Sequence, residues 1–294
     1  MNISKQTLGK LALLGTAVIW GTSFVVLKTT LDSVGTLWVL AIRFLVSALL
    51  LIAMAGKRLR GLSPRCLKGG ALLGLCLAAA YLFQTYGLLY TTPGKNAFLT
   101  ATYCVLTPFM AWLVYKRRPG LSNLAAAFLC IAGIGLVSLS SGFTEVNRGD
   151  MLTLVCGLFY SVQIIVMEQY RDSGDALSLS AVEFSAAALV FIAGALIFEA
   201  PPSGVPTSAW LGIAYLSVMC TALCFFLQAW GMKYTSSSIA AMLMTLESVF
   251  GALISVLFYN ETVTEKLLLG FGLIFLAVLL SELRPFEKRK KALS

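Results

Sequence analysis

The chain has 294 residues, of which 59% are hydrophobic and only 12% are charged. A soluble domain of this size does not carry so apolar a composition, so most of the chain is predicted to lie in lipid. The formal net charge of +9 could indicate a nucleic-acid partner, but its meaning depends on where the basic residues lie.

Ten apolar stretches, each long enough to cross a bilayer as a helix, follow one another along the chain. They are continuously apolar, whereas the strands of a membrane barrel alternate apolar and polar residues. The sequence therefore predicts an all-α integral membrane protein with ten transmembrane helices. Their approximate bounds are 9–30, 36–55, 69–90, 95–115, 121–140, 150–168, 179–199, 208–232, 238–259 and 266–283.

The lysines and arginines outside the predicted helices lie almost entirely on one side of the membrane. The two terminal segments and the loops on their side hold nearly all of them, whereas the opposite loops hold only Lys95, Arg148 and Lys266. This asymmetry places both termini in the cytoplasm, and a bacterial inner membrane is the expected location. The basic excess is therefore a topology signal, with membrane lipid as a partner of the C-terminal tail and no nucleic-acid partner expected.

The two halves of the sequence match each other at offsets of 140 and then 144 residues. Gly9, Trp20, Arg43 and Phe44 fall on Gly149, Tyr160, Glu183 and Phe184, and the segment 84–91 falls on 228–235. Five helices are an odd number, so the second half must enter the membrane from the opposite side. We therefore predict two inverted five-helix repeats, residues 1–146 and 147–294. This architecture is typical of transporters, although a duplication without a transport role would give the same pattern.

Several short motifs occur in a specific order and spacing. They are Trp20-Gly21-Thr22-Ser23, Arg43-Phe44, the segment 87–91, Pro108, Gly149-Asp150, Thr221-Ala222, Leu246-Glu247 and Gly270-x-x-Leu273-Ile274. In this combination the chain resembles the drug/metabolite transporter superfamily, specifically its ten-helix EamA-type branch. The resemblance covers nearly the whole chain.

This resemblance implies a secondary carrier for amino acids, vitamins or related metabolites. It also implies a central cavity lined mainly by helices 1, 3, 4, 6, 8 and 9, with helices 5 and 10 at the periphery. Two positions depart from the family pattern: Ser248 stands where a proline usually follows the Leu-Glu pair, and the basic run 116–118 replaces a glutamate that commonly ends helix 4. The second half keeps its counterpart, Glu261.

Polar residues at helical spacing mark the predicted cavity faces, because polar groups are costly in lipid. Aromatic walls with a few hydrogen-bonding groups suit a small amphipathic metabolite. For each Ser, Thr or Asn, an interhelical packing contact is an equally good interpretation. The predicted substrate-binding residues are Trp20, Ser23, Gln84, Asn96, Thr100, Tyr103, Tyr160, Gln163, Gln228 and Glu247.

Glu247 is the predicted coupling residue, because a carboxylate near the bilayer centre takes a proton, binds a cation or pairs with a base. A neutral, hydrogen-bonded structural glutamate is the alternative. Pro108 is the predicted gate or hinge, since proline frees a backbone carbonyl in a helix, and a static packing feature is the alternative. Arg43 and Glu183 are expected to anchor helices rather than to touch substrate.

The function predicted from the sequence is alternating-access export of an amino acid or related metabolite, with Glu247 as the candidate residue for proton coupling. An uptake carrier for a vitamin or nucleobase-like solute and a passive facilitator remain alternatives. An ATP-driven pump is not expected, because the chain has no phosphate-binding loop. A membrane enzyme is not expected either, because the chain has no histidine to act as the base of an intramembrane serine protease. We predict no cofactor, no metal, a small-molecule substrate, and a monomer or homodimer.

Overall fold

The computed structural model describes residues 4–116, 118–138, 147–235 and 237–283. Within these ranges the chain forms ten successive helical spans and no strand. Short 3₁₀ segments, Gly56–Leu59 and Arg171–Ser173, follow the second and sixth helices. The spans are α1 Lys5–Leu31, α2 Thr36–Ala55, α3 Pro64–Tyr90, α4 Pro93–Tyr115, α5 Leu121–Ser138, α6 Arg148–Tyr170, α7 Ala176–Phe198, α8 Thr207–Tyr234, α9 Ser237–Tyr259 and α10 Glu265–Leu283.

The lengths of these helices fit a bilayer. Among the described residues, nine helices are long and apolar enough to cross a membrane, and α9 contains the shorter apolar stretch Leu243–Tyr259. The predicted fold class, an all-α membrane protein of ten helices, is confirmed. Arg117 and the tail after Leu283, which contribute to the predicted charge asymmetry, lie outside the described residues.

Polar caps explain why several helices begin earlier than their apolar stretches. Ser63 caps α3, since its hydroxyl accepts a hydrogen bond from the Cys66 amide at 3.1 Å, and Pro64 occupies the first turn. The Asp175 carboxylate likewise accepts from the amide of Ser178, at 3.2 Å, and starts α7 at Ala176. These capped turns are polar, so hydropathy alone places the helix starts too late.

We call the membrane face on which α1 ends the distal face, and the face that bears Lys5 the proximal face. Inverted symmetry predicts that equivalent residues make the same contact on opposite faces. A Cβ added to Gly231 would lie 2.8 Å from the carbonyl oxygen of Gly9 near the proximal face. The equivalent contact near the distal face joins α3 to α6, where a Cβ on Gly149 would lie 2.5 Å from the Gly87 oxygen.

The two repeats interleave and do not form separate bodies. The most extensive helix contacts all join one repeat to the other: α3 with α6, α2 with α7, α1 with α9, α5 with α10, α3 with α7 and α1 with α8. The helices α5 and α10 pack mainly on each other, as expected for a peripheral pair. The predicted boundary after residue 146 borders residues 139–146, which lie outside the described ranges, and stays a prediction.

The irregularity predicted at Pro108 lies elsewhere in α4. The helix breaks at Thr102, between Pro93–Ala101 and Tyr103–Tyr115, and runs on through Pro108. Proline has no amide hydrogen to donate to the carbonyl one turn earlier, that of Cys104. The Ser281 hydroxyl of α10 donates to this carbonyl at 3.1 Å, so a contact between repeats satisfies the freed group.

A second irregularity lies in the middle of α8. The segment Val218–Leu223 has π-helical bonding, and the Thr221 hydroxyl donates to the Leu216 carbonyl at 2.8 Å. The equivalent part of α3 is regular helix. Such π segments carry an extra residue in one turn and often occur at functional sites.

The close approach of α3 and α6 gives a direct test of the packing. We expect Gly149→Ala to destabilise the protein by about 1–3 kcal/mol, because its methyl group would press on the backbone of Gly87. Gly15→Ala is the matched control, since no atom lies within 4 Å of an added Cβ there. Thermal unfolding in detergent measures both variants, and equal melting temperatures would contradict the packing described.

Candidate functional site

Aromatic side chains at mid-membrane form a continuous chain across both repeats. Phe44 of α2 stacks on Phe184 of α7, its equivalent in the second repeat, with ring centroids 5.5 Å apart. Further rings continue from this pair on each side at edge-to-face angles. We call the set the aromatic chain: Tyr160, Tyr81, Phe44, Phe184, Phe225 and Trp20.

The ring distances repeat on the two sides of the Phe44–Phe184 contact. Phe44 and Phe184 lie 4.9 Å from Tyr81 and Phe225 respectively. These two rings lie 5.9 Å from Tyr160 and Trp20. Each ring therefore has its repeat equivalent at the same place in the other arm, and the pseudo-twofold axis passes between the two central phenylalanines.

The two arms of the aromatic chain differ in polarity. The arm with Tyr81 and Tyr160 carries two phenol hydroxyls, and Tyr103 of α4 extends it at 5.8 Å from Tyr160. The other arm, Phe225 and Trp20, has one polar atom, the indole nitrogen of Trp20. Its N–H group donates a hydrogen bond to the Cys220 carbonyl of the π segment at 2.6 Å. The site therefore has a polar side and an apolar side.

Arg43 lies beside the polar arm and is only 3% exposed. Its Nε donates to the Thr221 hydroxyl at 3.1 Å, and its Nη2 lies 3.4 Å from the Tyr81 hydroxyl. The guanidinium carbon sits 4.9 Å from the centroid of the Tyr81 ring, within cation–π range. Among the described residues, no carboxylate pairs with Arg43.

Glu247 lies at the middle of α9 and faces a small cavity of about 20 Å³ between α9 and α4. A cavity of this size holds about one water molecule. Thr100, Tyr103 and Met244 also line it. The structure gives the Glu247 carboxylate no hydrogen bond or ion pair with any residue that it describes. A carboxylate in this position can receive a proton or a cation.

The predicted site residues therefore divide into groups. Thr100, Tyr103 and Glu247 share the cavity, and Tyr160 and Trp20 belong to the aromatic chain. Trp20 and the cavity lie at opposite ends of this series of rings, and the assignment of the five residues to substrate binding stays a prediction.

Gln84 and Asn96 lie in a buried network between helices. The Gln84 amide donates to the Thr100 hydroxyl at 3.1 Å, and Asn96 donates to the Gln84 carbonyl and to Thr153 at 3.2 and 2.8 Å. Asn96 is fully buried. Asn96 therefore makes interhelical packing contacts, and its assignment to substrate binding stays a prediction.

The remaining predicted residues lie away from the cavity. Ser23 donates to the Trp20 carbonyl of its own helix at 2.6 Å, and Gln163 donates to the Glu183 carboxylate at 2.5 Å. Gln228 is half-buried in the last part of α8, and the described residues offer its side chain no hydrogen bond. None of these three side chains lines the cavity beside Glu247.

Sequence reasoning missed Tyr81, Phe225 and Thr221 as parts of the site. Tyr81 falls on Phe225 at the 144 offset, one helical turn before Gln84 and Gln228, so the repeat could have identified this aromatic pair. The role of Thr221 depends on the π segment, which the sequence does not reveal.

An open vestibule of about 590 Å³ lies at the distal face, between the ends of α3 and α9 and the start of α4. Lys28 reaches the end of α3 and donates to the carbonyls of Leu88 and Leu89 at 2.5 and 3.0 Å. Glu261 caps the start of α4: its carboxylate accepts from the Gly94 amide at 3.0 Å and from the Thr92 hydroxyl. A carboxylate at a helix N-terminus is favoured by the helix dipole.

A buried ion pair lies near the vestibule. Lys95 Nζ is 3.9 Å from Asp150 Oδ2, and the two side chains are 8% and 0% exposed. The Thr91 hydroxyl donates to the other carboxylate oxygen of Asp150 at 2.6 Å. This cluster strengthens the contact between α3 and α6 at the distal face.

Nothing in the described residues gathers three or more of the side chains that hold metals. The site thus consists of an aromatic chain with a buried guanidinium beside Tyr81 and a carboxylate in the small cavity next to Tyr103, enclosed at mid-membrane by two inverted five-helix repeats. This arrangement defines the class of a helical membrane transporter. The chain belongs to the EamA-like transporter family, whose sequence profile matches it twice, over residues 7–139 and 147–283.

Several relatives of the chain are named as transporters. It is 33% identical to an uncharacterized transporter of Archaeoglobus fulgidus, over 95% of this chain and 87% of that protein. It is 26% identical to the uncharacterized transporter YwfM of Bacillus subtilis over 98% of each chain. The inner membrane transporter YedA of Escherichia coli is 24% identical over 94% of this chain and 90% of that protein.

A solved crystal structure of a protein shares this fold. It superimposes with a TM-score of 0.68 at 17% sequence identity, and covers 95% of this chain and 99% of that one. The family resemblance and the two-repeat fold predicted from the sequence are thereby confirmed.

The buried ion pair gives a test of the distal contact. We expect Asp150→Asn to destabilise the protein by about 3–5 kcal/mol, because it leaves the Lys95 ammonium buried without its counter-ion. Thermal unfolding measures the effect, and adding Lys95→Met to the same chain should restore part of the loss. The exposed pair Arg171–Asp172 supplies the control, where Asp172→Asn should cost less than about 1 kcal/mol. Equal losses at both positions would contradict this account of the cluster.

Proposed function

We propose that this protein is a secondary transporter that moves an amino acid or a related small metabolite by alternating access. The support comes from the repeat geometry. Equivalent residues make equivalent contacts on opposite faces, at Gly9 with Gly231 and at Gly87 with Gly149. Two halves related in this way can exchange conformations and so expose one central site to each side in turn.

Glu247 is the proposed coupling residue. The other residues that line its cavity are all uncharged: Ala97, Thr100, Ala101, Tyr103, Cys104, Met244, Thr245 and Ser248. None of them compensates a negative charge on Glu247. Binding of a proton or of a cationic substrate group would do so, and this unbalanced carboxylate carries the proposal.

The orientation and direction follow from other considerations. The proximal face is proposed to be cytoplasmic, because the basic loops lie there. The Escherichia coli relative is named as an inner membrane transporter, which supports the same location for this chain. Export is the proposed direction by analogy with the family resemblance.

Flux in proteoliposomes tests the proposal. Purified protein is reconstituted and assayed with a metabolite panel that includes amino acids, vitamins and nucleobases, with and without a pH gradient. Flux that ignores the gradient would favour a passive facilitator over a coupled carrier. Absence of flux for every compound would contradict the transport proposal itself.

Glu247→Gln tests the coupling residue. We expect at least about a tenfold loss of gradient-driven accumulation, with exchange in the absence of a gradient retained at saturating solute, because glutamine keeps the shape and cannot change charge. Glu265→Gln is the control, since Glu265 is exposed at the start of α10 and should leave coupling unchanged. Gradient-driven flux that equals the wild-type value in Glu247→Gln would retire the assignment.

A further inference from the structure

Arg43 is an isolated cation in the membrane interior. It is buried near the middle of α2, and the described part of the chain provides only neutral partners for it: the hydroxyls of Thr221 and Tyr81 and the face of the Tyr81 ring. A buried charge without a counter-ion is costly, and neutral hydrogen bonds offset only part of that cost. An arginine in this environment can therefore bind an anion.

The geometry of the guanidinium leaves one edge available. Thr221 holds the Nε side, at 3.1 Å, and its own hydroxyl hydrogen is used by the Leu216 carbonyl. The contact from Nη2 to Tyr81 is long, at 3.4 Å, and the structure describes no acceptor for Nη1. The edge formed by Nη1 and Nη2 is the one that binds a carboxylate through two parallel hydrogen bonds.

Two features of the fold fix this orientation. The π segment of α8 carries Thr221 to Arg43, and the regular helix at the equivalent place in α3 has Leu77 there. The Ser47 hydroxyl, one turn along α2, bonds both the Arg43 carbonyl at 2.7 Å and the Ser217 carbonyl at 3.1 Å. The backbones of α2 and α8 are therefore tied together at the guanidinium.

The polar arm of the aromatic chain connects Arg43 to the cavity of Glu247. The Arg43 guanidinium lies over the Tyr81 ring, Tyr160 lies 5.9 Å from Tyr81 and 5.8 Å from Tyr103, and Tyr103 lines the cavity that Glu247 faces. The structure describes no ion pair between the two charged side chains. A cation on one side and a carboxylate on the other match a solute that carries both charges. The apolar arm, Phe225 and Trp20, offers a surface for an uncharged side group.

We propose that the Nη1–Nη2 edge of Arg43 binds the carboxylate of the transported solute, while Glu247 receives its ammonium group. The proposal rests on the transport function proposed above and deepens it. It makes Arg43 a substrate-binding residue, in contrast to the helix anchor expected from the sequence. The ligand class is a small zwitterion with an apolar side group.

Binding of three matched probes tests the Arg43 assignment. They are L-leucine, L-leucinamide, which lacks the carboxylate, and 4-methylpentanoate, which lacks the amine. Each is measured on full-length protein in detergent by competition against radiolabelled L-leucine or by ligand-dependent thermal shift. We expect the wild-type protein to bind L-leucine at least about tenfold more tightly than the other two, which corresponds to about 1.4 kcal/mol.

Two variants test recognition of the carboxylate and of the ammonium group of the solute separately. Arg43→Gln should bind L-leucine and L-leucinamide equally, within about twofold, and Glu247→Gln should lose the preference for L-leucine over 4-methylpentanoate. Arg60→Gln is the control, since Arg60 is exposed on the proximal side, and it should behave as the wild type. If Arg43→Gln does not fold, Thr221→Val replaces it, because valine keeps the shape and removes the acceptor for Nε.

The outcomes distinguish this proposal from the transport function. Retention of the full preference for the carboxylate in Arg43→Gln, or in Thr221→Val where the first variant fails to fold, would overturn the Arg43 assignment. So would a wild-type protein that binds L-leucinamide as well as L-leucine, or that binds none of the three probes. Flux of any compound in the wider metabolite panel would then still uphold transport, since that assay does not depend on Arg43.

Discussion

The contact between Phe44 and Phe184 is the constraint on which the rest of the architecture depends. Lipid tails are as apolar as the side chains, so helices in a membrane associate through close packing and not through the hydrophobic effect. The two rings are repeat equivalents, and they meet on the pseudo-twofold axis at 5.5 Å. The other rings of the aromatic chain continue from this pair on each side.

Interleaving of the repeats follows from the same constraint. Because α2 packs on α7 and α5 packs on α10, each repeat is completed by the other and neither encloses a site alone. A change of shape in one half must therefore be matched in the other if close packing is to survive. The alternating access proposed above would therefore involve both repeats together, with the solute bound between them.

The chemistry of the site lies where repeat equivalents differ. Tyr81 has a hydroxyl and Phe225 has none, and Glu247 occupies the position equivalent to Tyr103. Arg43 and Glu183 also occupy equivalent positions and carry opposite charges. Symmetry therefore supplies the walls, and the substitutions that break it supply the groups that can recognise a solute.

These properties explain how much could be predicted from the sequence. The number of helices follows from the lengths of the apolar stretches, and the inversion follows from the odd number of helices in each repeat. Both can be read directly from the sequence. The aromatic equivalents Trp20 and Tyr160 were likewise visible in the offsets. The break of α4 at Thr102 could not be predicted. The sequence shows that Pro108 lacks an amide donor, but it does not show that the Ser281 hydroxyl, distant in sequence, satisfies the freed Cys104 carbonyl.

The environment of Arg43 could not be predicted for a related reason. A helix predicted from hydropathy is regular, and a regular α8 would turn Thr221 to a different direction. The hydrogen bond from Arg43 to Thr221 exists because one turn contains an extra residue. Irregular backbone within a membrane helix leaves little trace in composition, so the residues that it repositions are found only in three dimensions.

The two faces of the molecule hold their equivalent helix contacts with unequal strength. At the distal face the Gly87–Gly149 contact is reinforced by Thr91, Asp150 and Lys95. At the proximal face the equivalent of Thr91 is Thr235, whose hydroxyl is buried and finds no partner among the described residues. In the proposed exchange of conformation between the repeats, a polar, charge-paired contact would be replaced by one without these partners. Solute or proton binding would then have to supply the difference in free energy, since a ligand shifts a two-state equilibrium only by its difference in affinity for the two states.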